Sequence, residues 1–257
     1  MPENDLDLLV DAARAAGEIA LPYWRNAPKE WDKGDGAGPV TEADIAVNDA
    51  LMNQLRAARP DYGWLSEESE DSAGRLDHDR VFIVDPIDGT RAFIAGDRSW
   101  SHSLAVAEKG KIIAGVVFLP VAGKMYSARA SEGAWLDGMP ITASRRDDLS
   151  DAGVLCARNM LAPALWPRGV PPVKRHFRPS LAYRLALVAE GRFDAMLTLR
   201  DTWEWDVAAG SLIAREAGAA VTDRLGNPLE FNRPLPKLPG ILAAPDPIHA
   251  ALRCQLD

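Results

Sequence analysis

Two aspartates three residues apart, in Val84-Asp85-Pro86-Ile87-Asp88-Gly89-Thr90, follow a short apolar run, Val81-Phe82-Ile83-Val84, that reads as a buried strand. Hard divalent cations take oxygen ligands, and two carboxylates with a peptide carbonyl between them form a compact set. Pro86 has no N–H and disfavours helix at Asp85, so the chain is expected to stay extended there and turn only afterwards. Gly89 and Thr90 stand where that turn feeds a helix, with backbone N–H groups free to hold an anion beside the cations. The alternative is an Asx-type turn in which both aspartates serve only local backbone groups.

Further acidic residues close other apolar pieces. Glu67 and Glu68 in Trp64-Leu65-Ser66-Glu67-Glu68-Ser69 read either as ligands or as a solvated loop, since charged residues are mostly exposed. Asp206 in Trp203-Glu204-Trp205-Asp206-Val207-Ala208-Ala209-Gly210 reads either as a ligand or as the N-cap of the helix that follows. Brought together, these carboxylates would repel one another unless cations neutralised them.

The elements that must position them are legible in outline. Leu6, Leu9, Val10, Ala13, Ala16 and Ile19 recur at helical spacing and predict a helix from Asp5 to about Trp24. After a Gly-rich loop at Lys33 to Gly38, Thr41 and Asp44 resemble a capping box, and Val47, Leu51, Leu55 and Ala58 carry one stripe onward. Apolar segments at 104–107, 112–119 and 125–128, parted by Lys109-Gly110-Lys111 and Val121-Ala122-Gly123, predict antiparallel hairpins. From Leu149 the texture alternates: apolar pieces at 154–157, 195–198, 220–222 and 241–244, and helices at 180–190, 206–217 and the C-terminus. The expected organisation is an N-terminal α+β lobe, 1–148, whose antiparallel sheet carries most ligands, and a C-terminal α/β lobe, 149–257, contributing Asp206. The Pro-rich stretch Pro163 to Pro179 reads as a surface loop.

The 257 residues, 47% hydrophobic, suffice for a substantial core, and a formal charge of −8 argues against a broad nucleic-acid surface. No apolar run approaches bilayer length and no basic-then-apolar leader follows Met1, so no membrane partner and a cytoplasmic address are expected. Cys156 and Cys254 match no metal spacing and read as reduced thiols. His78, His102, His176 and His249 show no ligand spacing and read as surface or core-edge residues.

The trio Gly38-Pro39-Val40-Thr41-Glu42-Ala43-Asp44, Asp85-Pro86-Ile87-Asp88-Gly89-Thr90 and Trp205-Asp206-Val207-Ala208-Ala209-Gly210 resembles the inositol monophosphatase family. With Glu67-Glu68 and the Ser180 to Gly191 helix, the similarity runs in order through nearly the whole chain. The resemblance implies an α/β (α+β) fold, a layered α-β-α-β-α sandwich of the inositol monophosphatase and fructose-1,6-bisphosphatase type. It also implies a lithium-sensitive, Mg²⁺-dependent phosphomonoesterase acting on a small phosphorylated metabolite. Carried over residue by residue, Glu67, Asp85, the Ile87 carbonyl, Asp88 and Asp206 match the ligands of two or three Mg²⁺ ions. Asp44 and Thr90 match the pair that orients the attacking water, with Glu67 assisting. Asp88, Gly89, Thr90 and Asp206 match substrate contacts, the Gly89 and Thr90 amides holding the phosphate.

Ala92 stands where the family usually has Asn, and Leu199, seven residues before Asp206, where inositol-preferring members tend to have Glu. The wording Asp88-Gly89-Thr90-Arg91-Ala92-Phe93 is more similar to bacterial 3′(2′),5′-bisphosphate nucleotidases, ahead of inositol monophosphatases and histidinol-phosphatase-like members. Arg91 and Arg200 read as surface residues or as contacts to a second phosphate, and Trp203 and Trp205 as packing or as the substrate mouth. The resemblance implies a homodimer for inositol-type members and permits a monomer for nucleotidase-type ones.

Two rival readings fare worse. Haloacid-dehalogenase-type phosphatases resemble Asp-x-Asp with a covalent aspartate, whereas two residues separate Asp85 from Asp88. A non-catalytic divalent-cation-binding regulatory module would leave Asp44 and Thr90 without purpose, and no EF-hand pattern is present.

Overall fold

The computed structural model describes residues 4–34 and 38–256. Met1 and part of the Gly-rich loop, residues 35–37, lie outside the described residues.

Helix α1 (Asp5–Ala20) starts where the Asn4 side chain accepts from Asp7 N. It ends before the expected Trp24, because Pro22 has no N–H to continue the ladder. A hairpin of β1 (Glu30–Asp32) and β2 (Pro39–Thr41) leads into α2 (Glu42–Ala58), where Thr41 and Asp44 form the expected capping box.

A seven-stranded sheet follows. Strands β3 (Gly63–Ser66) and β4 (Arg80–Asp88) pair in parallel, and the one-turn α3 (Thr90–Ile94) leaves the end of β4. Then β5 (Ser101–Glu108), β6 (Lys111–Leu119), β7 (Lys124–Arg129), β8 (Gly133–Leu136) and β9 (Met139–Pro140) add on, each antiparallel to the last, as the hairpin signals predict.

The rest of the chain supplies β10 (Gly153–Leu155), β11 (Lys174–His176), α4 (Leu181–Ala189), β12 (Ala195–Thr198), β13 (Thr202–Trp203), α5 (Glu204–Glu216), β14 (Ala220–Thr222), β15 (Lys237–Leu238), β16 (Ile241–Ala244) and α6 (Asp246–Leu256). A five-stranded mixed sheet runs in the order β11-β10-β12-β16-β14. The Pro163–Pro179 stretch is thus more than a loop. Lys174, Arg175 and His176 are exposed and carry no apolar alternation, so only their pairing with β10 makes them a strand.

Side-chain alternation divides the core into layers. Phe82 and Val84 of β4, with Leu104 and Val106 of β5, face α1 and α2. Val81, Ile83, Ala105 and Ala107 face the opposite way, against α4 and α5, which also meet Met196, Ile241 and Ala243 of the second sheet. Leu197, Leu242 and Ala244 point beyond, to Ile248 and Leu252 of α6. The outcome is the expected α-β-α-β-α sandwich.

Close approach of α5 to the first sheet needs small residues. A Cβ on Gly115 of β6 would lie 3.0 Å from the Ala209 Cα, so the sheet and the helix meet backbone to backbone there. Both cysteines are free, and no helix among the described residues is long and apolar enough to cross a membrane.

Candidate active site

Strand β4 continues past Pro86 to Asp88, with an irregularity that decides where its carboxylates point. Asp85 pairs with Ser103 and Asp88 with Ser101, so three steps on β4 oppose two on β5. This is a β-bulge with one extra residue. In a regular strand, residues three apart face opposite sides. Across the bulge, Ile87 turns into the α1–α2 core while Asp88 reaches α4, the side Asp85 shares with Val81 and Ile83.

Glu67 follows β3 and is held by its N–H to the Val84 carbonyl at 3.2 Å. Asp206 lies in the first turn of α5. The N-cap of that helix is Trp203, so Asp206 is not the cap; it accepts from the Thr202 hydroxyl at 3.0 Å. One oxygen each from Glu67, Asp85 and Asp206 lies within 4.8 Å of the others. Burial, and then the neighbouring carboxylates, drive the Asp85 and Asp206 carboxyl groups well above the ordinary range. Asp85 Oδ1 is buried without a hydrogen-bond partner. A converging set of hard oxygen donors with one orphaned oxygen fits a divalent cation, and neither an Asx turn nor a solvated loop accounts for it.

Asp88 is engaged with α4. Its Oδ2 accepts from the Ser180 hydroxyl at 2.6 Å and Ala182 N at 2.7 Å, and Oδ1 from Leu181 N at 3.3 Å. Burial pushes its carboxyl to about 6 against the pull of these donors. The Ile87 carbonyl lies 3.2 Å from the Thr90 hydroxyl oxygen, one of two acceptors within reach of that hydroxyl's single proton. Gly89, at φ +98°, makes the turn from β4 into α3, where an L side chain would be strained.

The capping box of α2 has a second use. Thr41 donates to Asp44 Oδ2 through both its N–H, at 2.9 Å, and its hydroxyl, at 2.5 Å. Oδ1 is left to the Thr90 hydroxyl at 3.2 Å. Burial raises the Asp44 carboxyl to about 6.

These groups border a cavity of about 570 Å³, lined also by Phe177, Thr198 and three arginines, Arg91, Arg184 and Arg200. Among the described residues none of the three arginines is in an ion pair. Arg184 is 5% exposed, donates to the Arg178 and Pro179 carbonyls, and stacks 4.6 Å from the Phe177 ring centre. Lys33 places its ammonium 2.8 Å from Glu67 and 2.6 Å from Glu68.

Glu67, Asp85, Ile87, Asp88, Gly89, Thr90, Asp44 and Asp206 are therefore gathered in one place. Trp203 and Trp205 stack on each other at 4.6 Å and do not line the cavity; Leu199 also turns away from it, and Thr198 takes the wall. Sequence reasoning missed Lys33, Ser180 and Arg184 as site residues. A lone arginine inside the apolar helix Leu181-Ala182-Tyr183-Arg184-Leu185-Ala186 was the available signal. His102 is neither surface nor core-edge but fully buried.

The profile of the inositol monophosphatase family matches residues 1–256. The chain is similar to the inositol-1-monophosphatase of Rhizobium meliloti (strain 1021), 36% identical over 237 residues, covering 88% of each. It is similar to the 3′(2′),5′-bisphosphate nucleotidase CysQ of Escherichia coli O157:H7, 35% identical, covering 88% of this chain and 93% of the relative. Among solved structures, the extragenic suppressor protein suhB from Bartonella henselae superposes with a TM-score of 0.81 at 31% identity, covering 97% of each chain.

Proposed function

The chain belongs to the inositol monophosphatase family and is a metal-dependent phosphomonoester hydrolase, and we propose that it uses Mg²⁺ to hydrolyse a small phosphorylated metabolite bearing a second anionic group, as a 3′(2′),5′-bisphosphate nucleotidase does. The observation that carries the metal reading is the meeting of Glu67, Asp85 and Asp206 oxygens within 4.8 Å, drawn from three separate elements. In this reading Glu67, Asp85, the Ile87 carbonyl, Asp88 and Asp206 hold two or three Mg²⁺ ions, and lithium inhibits. When bound, the ions supply Lewis-acid polarisation of the phosphoryl oxygens and acidify water.

The chain's own residues provide orientation and proton control. The Thr41 donors occupy Asp44 Oδ2, which leaves Oδ1 to draw the Thr90 hydroxyl proton. The Thr90 oxygen then presents lone pairs to a water in the cavity and fixes its direction of attack. Glu67 takes up the proton that the water releases. N–H groups at Gly89 and Thr90, at the start of α3, hold the phosphate.

The substrate class rests on charge. Arg91, Arg184 and Arg200 line the cavity and form no ion pair among the described residues, which suits a second phosphate. Thr198, in place of an acidic wall, gives no acceptor pair for sugar hydroxyls. The deciding experiment is kcat/KM in Mg²⁺ for adenosine 3′,5′-bisphosphate, inositol 1-phosphate, fructose 1,6-bisphosphate and histidinol phosphate. Preference for the nucleotide confirms the proposal, and preference for inositol 1-phosphate or histidinol phosphate overturns its substrate half.

A further inference from the structure

His102 belongs to β5, sits directly opposite the Asp85–Asp88 bulge between Ser101 and Ser103, and is fully buried. A bulge leaves backbone groups of the extra residue without a ladder partner. Here the Pro86 carbonyl is met by His102 Nδ1. Pro86 itself offers no N–H with which to anchor the segment.

The flanking side chains act on the other face. The Ser101 hydroxyl meets Ser180, which donates to Asp88, and the Ser103 hydroxyl donates to the Trp205 carbonyl next to Asp206. The tripeptide Ser101-His102-Ser103 thus braces the acidic segment from both sides of the sheet.

His102 also costs the fold something. Its Nε2 is buried without a partner, among Trp100 and Phe118 rings at 5.4 and 6.3 Å. An unsatisfied buried nitrogen in an aromatic pocket is expensive, and an apolar side chain would fill this place without that penalty.

We propose that His102 is a positioning residue: its Nδ1–H, bonded to the Pro86 carbonyl, locks the bulge that turns Asp85 and Asp88 to the same face, and so sets the affinity of the acidic site for divalent cations. The inference rests on the metal reading above. It routes through Pro86 and touches no reacting atom.

The test uses Mg²⁺ calorimetry on the full chain alongside phosphatase assays. His102→Leu, which removes the donor and keeps an apolar fill, is expected to weaken Mg²⁺ binding about tenfold, with much of kcat restored at saturating Mg²⁺. His102→Asn, whose Nδ2 can stand in for Nδ1, is expected to restore most of that affinity. A purely structural histidine would shift the melting temperature in both variants and leave Mg²⁺ affinity unmoved, which overturns the proposal. The ¹⁵N spectrum of the wild-type imidazole needs no variant to fold: a proton on Nδ1 is expected, and a proton on Nε2 alone overturns the proposal. If the wild type itself bound no Mg²⁺ and released no phosphate from any ester, the function above would fail instead.

Discussion

The Thr90 hydroxyl lies 3.2 Å from Asp44 Oδ1, although 46 residues separate them in the chain. One stands at the start of α3 and the other in the first turn of α2, so the pair joins the N-terminal ends of two helices across the cavity wall. Two donations from Thr41 leave Asp44 with a single free direction, and Thr90 lies along it.

Removing that hydroxyl should affect the chemical step and spare the metal site. Thr90→Ala is expected to lower kcat by about 10²-fold or more, the scale of a positioned acid–base contact. Mg²⁺ affinity should stay near that of the wild type, since Thr90 contributes no carboxylate. Steady-state kinetics with calorimetry on the same sample decides between the two.

The metal-free protein should lose stability as pH rises. Asp44 and Asp88 are raised to about 6 and Glu68 to about 7, each mainly by burial, so between about pH 4 and 7 the folded chain binds more protons than the unfolded one. In chelator the melting temperature is therefore expected to fall across that window, and Mg²⁺ should reverse the fall. Asp85→Asn, which removes one of the crowded anions, is expected to stabilise the chelated protein by about 1–3 kcal/mol while abolishing turnover. A scan of melting temperature against pH, with and without Mg²⁺, checks the first statement, and urea denaturation in chelator with a phosphatase assay on Asp85→Asn checks the second.

The arginines should discriminate by charge. Arg184→Met retains stacking volume against Phe177 and loses the cation. The expected loss of kcat/KM on adenosine 3′,5′-bisphosphate exceeds that on adenosine 3′-monophosphate by about 10–100-fold, the worth of one charge-assisted hydrogen bond. Equal losses on both esters would make Arg184 a structural residue.

A methyl group on a residue that does not line the cavity should also reach the site. Gly115→Ala would push on the Ala209 backbone at 3.0–3.4 Å, and α5 carries Asp206. The expected cost is about 1–3 kcal/mol in urea denaturation, with weaker Mg²⁺ binding by calorimetry. Unchanged Mg²⁺ affinity would mean that α5 absorbs the strain without moving Asp206.

The parts of this protein that were legible in its residue order are those that neighbouring residues decide among themselves. Thr41 and Asp44 announce the start of α2, Val81 to Val84 announce a buried strand, and the glycine-containing turns announce the hairpins, because capping, alternation and turn chemistry act within a few residues. The family motifs added the ligand set, which local chemistry alone left as possible caps and turns. What tertiary structure decided is direction and company. The bulge at Pro86 puts Asp85 and Asp88 on one face where period-two counting would part them. Glycine and alanine contacts bring Asp206 in on α5, and burial on α4 makes Arg184 part of the cavity wall. Each depends on backbones from distant segments meeting at a particular separation, and that separation is set by the packing of whole layers, which no short stretch of sequence contains.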